Sequence, residues 1–322
     1  MPDPVPASYL RVLMSLVEYY VLVRPQLQQL VFPTHKQSRF ARKVLKELAR
    51  EGLVGKTRRT ITYDGNRAGC PVYFLTEQGR ERLCEWTGCE SYLQASIARP
   101  RDDRLEHWTA IAEWQLRMRA ALADQERVLM PSWVNEWNKY RADAGKPNEY
   151  FLHVQFGGEK KLSCSPDLAF VLETQGQSRA YYGEADLGSS SVEQVVARKH
   201  QGYDLLWRTS MHRTRHFPEA AADDFRVLTV TTSRWRRDRM AKLIADKPGA
   251  HRWRFAAWED FRSETLLHEM IWVDAQQQFM PLATPPADYQ PLAETYTRPQ
   301  RPVMSKNHAL APIVQDGGDD EG

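Results

Sequence analysis

Residues 35–50 form a stretch without Gly or Pro in which apolar and basic side chains alternate at helical spacing. At about 100° per residue, Phe40, Ala41, Val44, Leu45 and Leu48 fall on one side of a helix, and Lys36, Arg39, Lys43, Lys46 and Arg50 fall on the other. Such a segment must pack its apolar side on a core and leave a continuous basic face at the surface. Thr34 suits the N-cap, and Gly52 lies where the helix must stop. Two helices precede it. Leu10, Leu13, Met14, Val17 and Val21 recur at helical spacing over residues 7–22, and Pro25 restarts the chain into a second, short helix.

Two β-rich runs follow, at residues 60–63 and 72–75, joined by a loop that holds Asp64-Gly65 and Gly69. Lys56, Arg58 and Arg59 stand at the start of the first run. Three helices and then a hairpin is the order of a winged helix, whose third helix enters the major groove while the wing touches neighbouring backbone. The phrase Leu75-Thr76-Glu77-Gln78-Gly79-Arg80-Glu81-Arg82-Leu83 resembles the LTxxGxxxL turn that closes the wing in many bacterial winged-helix regulators. A first domain over residues 7–98 is expected, with double-stranded DNA as partner and Lys36, Arg39, Lys43, Lys46, Arg58 and Arg59 gripping it. The plainer alternative is a module of this shape used only for protein contacts.

The net charge of +3 is a near-cancellation of 44 basic by 41 acidic residues, so distribution decides more than the total. Residues 34–67 carry ten Lys or Arg against three Asp or Glu, and residues 208–254 carry twelve against five. Blocks of this kind suit polyanion binding through counterion release, or simply a solvated basic surface. The four cysteines (Cys70, Cys84, Cys89, Cys164) show neither CxxC spacing nor a paired His motif, which argues against structural zinc and for reduced thiols. No basic flank or small-residue cleavage site marks the first residues as a secretory signal. The apolar stretch 10–23 is interrupted by Arg11 and Glu18 and falls short of the roughly 20 residues a bilayer span needs. A cytoplasmic protein with no membrane partner is the expectation.

At 322 residues the chain exceeds the roughly 100–200 typical of one domain. Residues 99–104 are charged, contain Pro100 and suit a linker. A helix over 105–122 places Ile111, Trp114, Met118 and Leu122 on one core-facing stripe. Strand signals at 151–156, 167–172, 180–185 and 226–232, with a helix before the last, predict a mixed α/β sheet in a second domain over 104–274. Beyond it, residues 275–322 read as an extended, disordered tail.

Within the second domain, Pro166-Asp167 opens one strand and Glu184-Ala185-Asp186 closes the next. Side chains alternate across a strand, so Glu184 and Asp186 share a face, and pairing the two strands brings Asp167 beside them. Three carboxylates together would suit a hard cation such as Mg2+. Ser190 and Glu193 then have capping-box spacing for a helix whose inward stripe reads Val192, Val195, Val196, Lys199, Tyr203 and Leu206. A lysine stands where periodicity demands an apolar residue. Burying an unpaired ammonium costs on the order of several kcal/mol, so Lys199 needs an acidic partner, with Glu184 and Asp186 the obvious candidates. Helix capping also accounts for Ser189 to Ser191, since no His/Asp pair of recognisable spacing accompanies them. Farther on, Arg234, Arg236, Arg237, Arg239 and Lys242 surround an apolar stripe of Met240, Leu243 and Ile244. That helix suits either a grip on a second stretch of phosphate backbone or solvation.

The run Ser165-Pro166-Asp167, then Glu184-Ala185-Asp186-Leu187-Gly188-Ser189, then Lys199 and Tyr203, resembles the replication-relaxation family of bacterial plasmids and mobile elements. The resemblance spans most of residues 7–245 and includes Val227-Leu228-Thr229-Val230-Thr231-Thr232-Ser233 with the basic helix after it. It implies a winged helix followed by an α/β domain similar to the PD-(D/E)XK nucleases. In that pattern Asp167 is the Asp of PD and Glu184 the first member of (D/E)XK, both holding metal. The pattern's lysine falls on Asp186, a departure, and Lys199 on the adjacent helix would supply the missing positive charge by stabilising the phosphorane or steering water. Asp167, Glu184, Asp186 and Lys199 are therefore the candidate catalytic set, with Mg2+ as cofactor if the site is active. Glu136 looks like the upstream acidic residue of some relatives. The implied function is that of a DNA-binding accessory protein in plasmid or mobile-element replication or mobilisation, working with a second copy or with replication or relaxosome proteins. The alternatives are an active metal-dependent DNA endonuclease and a transcriptional regulator with a catalytically silent C-terminal domain.

Overall fold

The computed structural model describes residues 5–34, 39–63, 66–95, 99–140, 149–157 and 162–292 as a mixed α/β protein. The first part runs α1 (Ala7–Tyr19), β1 (Val21–Val23), α2 (Arg24–Val31), α3 (Arg39–Arg50), β2 (Val54–Tyr63), β3 (Asn66–Leu75) and α4 (Glu77–Thr87). Its sheet is antiparallel in the order β1-β3-β2. On α3, Ala41, Val44, Leu45 and Leu48 are buried, while Arg39, Arg42, Lys43, Lys46 and Arg50 are exposed. Phe40 departs from the periodic expectation: it is 39% exposed, set edge-on to Phe32. The two strands of the hairpin are ten residues each, longer than the runs legible in the sequence. Register shifts between Lys56 and Thr60, and between Ile61 and Tyr63, break the alternation by which a strand is recognised. Gly69 (φ +72°) lies inside β3 and not in the turn.

The Leu75-to-Leu83 phrase has a packing reason. Thr76 Oγ1 caps α4 by accepting from Gly79 N (2.9 Å) and donates back to the carbonyls of Gly52 and Leu53. At Gly79 a Cβ would stand 2.0 Å from the Leu53 carbonyl oxygen, so only glycine lets α4 approach this closely. Gly79→Ala is expected to cost about 1–3 kcal/mol, as overpacking does, measured as a lower urea midpoint. An unshifted midpoint would mean that α4 can slide away at no cost.

Helix α5 (Leu105–Leu122) follows. It is buried on two sides, where the sequence predicts one stripe. Ala112 and Leu116 join the core of Leu13, Leu16 and Leu48, while Ile111, Trp114 and Met118 join that of Phe170, Leu228 and Trp272. The second core also takes Val21, Val23, Ile61 and Val72 from the first sheet, so α5 is a shared wall. Gln26 Nε2 reinforces it by donating to the Thr109 carbonyl (3.2 Å).

The remaining elements are β4 (Val128–Asn135), β5 (Val154–Gln155), β6 (Ser163–Cys164), β7 (Leu168–Thr174), β8 (Gln177–Asp186), α6 (Val192–Arg208), β9 (Arg226–Thr231), α7 (Arg234–Ile244), β10 (Trp253–Ala257), β11 (Trp272–Val273) and β12 (Phe279–Met280). Seven strands form one sheet, ordered β12-β11-β10-β9-β8-β7-β4. The β8–β9 and β9–β10 pairs are parallel and the others antiparallel. Three expectations need correction. The 151–156 signal contributes only β5, paired with β6 off the main sheet, because Leu152, Val154 and Phe156 are buried beside α6. The sheet continues past residue 274 through β12, and Ala283 is buried, so the tail predicted from residue 275 begins later; residues 293–322 lie outside those described. Ser191, and not Ser190, caps α6, accepting from Gln194 N (3.2 Å).

Candidate functional site

Strands β7 and β8 pair antiparallel with Leu168 opposite Gly183, which sets Asp167 and Glu184 side by side where the hairpin ends. The contact is tight. A Cβ on Gly183 would lie 2.4 Å from Leu168 Cδ1, and Asp167 Oδ2 accepts from Ala185 N at 2.8 Å. Helix α6 approaches equally closely at Gly202, where a Cβ would meet the Ser163 carbonyl at 2.8 Å. That closeness brings Lys199 Nζ to 2.5 Å from Glu184 Oε2 and 3.9 Å from Asp167 Oδ1, while it donates to the Ser165 carbonyl (3.1 Å). Tyr203 OH donates to the other Glu184 oxygen (2.6 Å), so both carboxylate oxygens of Glu184 are engaged.

Burial and the Asp167 charge push the Glu184 carboxyl above the usual carboxylate range, against the pull of Lys199. Burial also opposes the Lys199 ammonium, but Glu184 and Asp167 outweigh it and hold the lysine above its ordinary value. Asp186 shares the face of Glu184 yet is drawn away from Lys199. Arg236 grips it through Nε (2.5 Å) and Nη2 (2.9 Å), and Thr231 Oγ1 donates to it (2.5 Å).

Two further residues close on Asp167 from the other side. His107, on the first turn of α5, places Nε2 3.3 Å from Glu136 Oε1 and 3.5 Å from Asp167 Oδ1. This Nε2 is buried between the two carboxylates, whose oxygens are its nearest polar contacts. Glu136, just past β4, is oriented by Trp108 Nε1 (2.5 Å) and Arg104 Nη2 (3.2 Å). One donor atom each from His107, Glu136 and Asp167 lies within 4.8 Å of the other two, the set among the described residues whose spacing could hold a metal ion. Burial works against the His107 imidazolium, but the Asp167 and Glu136 charges raise its pKa overall. The cluster, with Glu184 and Lys199, lines a cavity of about 560 Å3. His107 had no signal in the sequence: it stands alone in a charged first turn, and its partners are 29 and 60 residues away by numbering.

The two basic blocks have different fates. On α3, Arg39, Arg42, Lys43, Lys46 and Arg50 make no salt bridge among the described residues, nor does the exposed Arg58 on β2. Lys36 lies outside the described residues. Arg59 is committed elsewhere, to Glu106 (2.8 Å) and the Asp102 carbonyl (2.6 Å), which ties the hairpin to α5. Most of the second block is paired within the fold. Arg234 and Arg237 share the buried Asp260, Arg236 holds Asp186, and Arg239 holds Glu193. Four arginines of α7 thus serve acids of its own fold, Arg236 and Arg237 as buried partners and Arg234 and Arg239 in partly exposed pairs, while Lys242 stays exposed.

With α3, the hairpin and the acid cluster in place, comparison by sequence gives one decisive result. The replication-relaxation family matches residues 13–219, more than half of the chain. The protein belongs to the replication-relaxation family. No curated protein and no solved structure gives a match. The replication-relaxation match takes in α3, the hairpin, His107, Glu136, Asp167, Glu184 and Lys199, and it ends before Thr231 and Arg236, the partners of Asp186. Among the described residues, no helix is long and apolar enough to cross a membrane.

Proposed function

We propose that this replication-relaxation protein binds duplex DNA through α3 and the β2–β3 hairpin, as an accessory factor in plasmid or mobile-element replication or mobilisation. The carrying observation is the contrast in charge: α3 keeps an exposed basic face with no acidic partner among the described residues, whereas four of the five basic residues of α7 are paired with acids of neighbouring elements. A third helix followed by a hairpin is the winged-helix order, and it supports a reading in which α3 enters the major groove. Arg39→Glu with Lys43→Glu is expected to abolish duplex binding in a gel-shift titration, while far-ultraviolet circular dichroism stays unchanged because both side chains are exposed. Wild-type affinity in the double variant would sink this placement.

The second part of the chain is read as a PD-(D/E)XK-like centre. An α-helix, three antiparallel strands, a crossover helix and a parallel strand (α5, β4, β7, β8, α6, β9) carry acids at the β7–β8 end, which supports that assignment. Asp167, Glu136 and His107 would hold a divalent ion, Mg2+ or Mn2+, and that ion would supply Lewis-acid polarisation of a phosphoryl oxygen. Lys199 keeps a positive charge at the rim of the same cavity, fixed by Glu184 and the Ser165 carbonyl, where it would stabilise developing negative charge. A non-cleaving centre is favoured by one observation: Lys199 and Tyr203 already occupy both oxygens of Glu184. Plasmid nicking with Mg2+ or Mn2+ decides between them. Metal-dependent nicking lost in Asp167→Ala and Lys199→Ala means an endonuclease, and intact binding without nicking means a clamp or regulator.

A further inference from the structure

A second cavity, about 400 Å3, adjoins the acid cluster and shares Arg104, Glu136 and Ser165 with it. Its walls combine aromatic rings with cations: Trp108, Trp137 and Tyr150 line it together with Arg99, Arg101 and Arg104. Tyr150 is 49% exposed, a large ring presented to solvent at the rim, and Lys139 Nζ stands 5.7 Å from its centroid. Deeper in, the rings are fixed by one another, with Tyr20 edge-on to Trp108 at 5.0 Å and tilted against Trp137 at 5.7 Å. Arg104 pairs with the one wall acid, Glu136, and Arg101 with Asp103 in an exposed pair (2.7 Å), while Arg99 has no acidic partner among the described residues, so the pocket keeps the charge of Arg99 and a solvent-exposed Arg101 that a phosphate can draw from Asp103. Cations that track a phosphate backbone, with rings on which bases stack, are the chemistry of single-strand recognition. A double helix could not use such a pocket, because its bases are already stacked on each other.

We infer that this pocket takes an unpaired nucleotide of a DNA strand, with its base against Tyr150 and its phosphate toward Arg99 and Arg101. The inference rests on the DNA-binding reading above and narrows its target to DNA in which duplex adjoins an unpaired segment. The boundary residue Ser165 links the two cavities: its carbonyl accepts from Lys199, so a strand leaving the pocket past Ser165 brings its backbone to the acid cluster.

The test uses the full chain and fluorescence anisotropy with two probes, a labelled oligothymidylate of about ten nucleotides and a labelled mixed-sequence duplex. Tyr150→Ala is expected to weaken oligothymidylate binding about tenfold or more, the ordinary effect of removing one stacking ring, with duplex affinity unchanged. Tyr150→Phe should keep wild-type affinity, since stacking needs the ring and not the hydroxyl. Arg99→Ala with Arg101→Ala should weaken the same probe and flatten its salt dependence. The Arg39→Glu/Lys43→Glu variant should show the opposite pattern, losing the duplex and keeping the single strand, so failure of the α3 reading is visible separately. No oligothymidylate binding by the wild type, or equal losses on both probes in Tyr150→Ala, would overturn the pocket assignment.

Discussion

Lys199→Met is expected to lower stability by about 3 kcal/mol near neutral pH, measured by urea denaturation. The substitution keeps length and apolar stem but leaves Glu184, 4% exposed, with Tyr203 alone to satisfy it. Removing one partner of a buried pair typically costs about 3–5 kcal/mol, because the remaining charge is stranded. The Lys199 side chain is 30% exposed, so water can reach the gap and the low end of that range applies. The loss should depend on pH. Burial and Asp167 already raise the Glu184 pKa, and without Lys199 nothing cationic opposes them. A carboxyl with a raised folded-state pKa takes up a proton on folding. Its penalty is therefore absent below the ordinary glutamate value of 4.5 and grows as pH rises through the folded value. The deficit of Lys199→Met should shrink as pH falls toward about 5, and adding Glu184→Gln should recover most of it at neutral pH. A deficit that ignores pH, or none at all, would mean that the pair is an ordinary surface contact.

The same lysine shows what a sequence can reveal. A cation in an apolar stripe has to find an acid, so the Lys199–Glu184 contact follows from periodicity and electrostatics together, and Asp167 joins through hairpin pairing. The segregated faces of α3 are legible for the same reason: local spacing alone decides them. Partnerships over long sequence distances are not. Arg236 and Arg237 look like surface charges until the fold brings Asp186 and Asp260 to them. The two-sided burial of α5 is masked by polar residues that are themselves buried, such as Gln115, which donates to Glu18 and accepts from Asn135. Strand β4 hides behind Pro131 and a register shift between Leu129 and Ser132, a form tolerated only because β4 is an edge strand. Glu136 is therefore named in the sequence only through the family resemblance, and with β4 hidden nothing places it beside His107.

That hidden half of the cluster makes the last prediction. Mn2+ added to the full chain is expected to raise its melting temperature by about 5 °C at a hundredfold excess over Kd, the consequence of about 2.7 kcal/mol of binding linkage in a chain of this size. Mg2+ should do less, because an imidazole in the ligand set favours the softer ion, whereas Mg2+ prefers oxygen alone. The donors are already oriented. Ala185 N holds one Asp167 oxygen and leaves Oδ1 facing His107, and Trp108 and Arg104 fix Glu136. His107→Ala and Asp167→Asn should each weaken Mn2+ binding by at least about tenfold in calorimetric titration. Glu184→Gln should leave it nearly unchanged, since Glu184 spends its oxygens on Lys199 and Tyr203. The reverse result, binding lost in Glu184→Gln and kept in His107→Ala, would move the ion between Asp167 and Glu184, the pair that the family resemblance implies, and would require Lys199 to release Glu184 when metal enters.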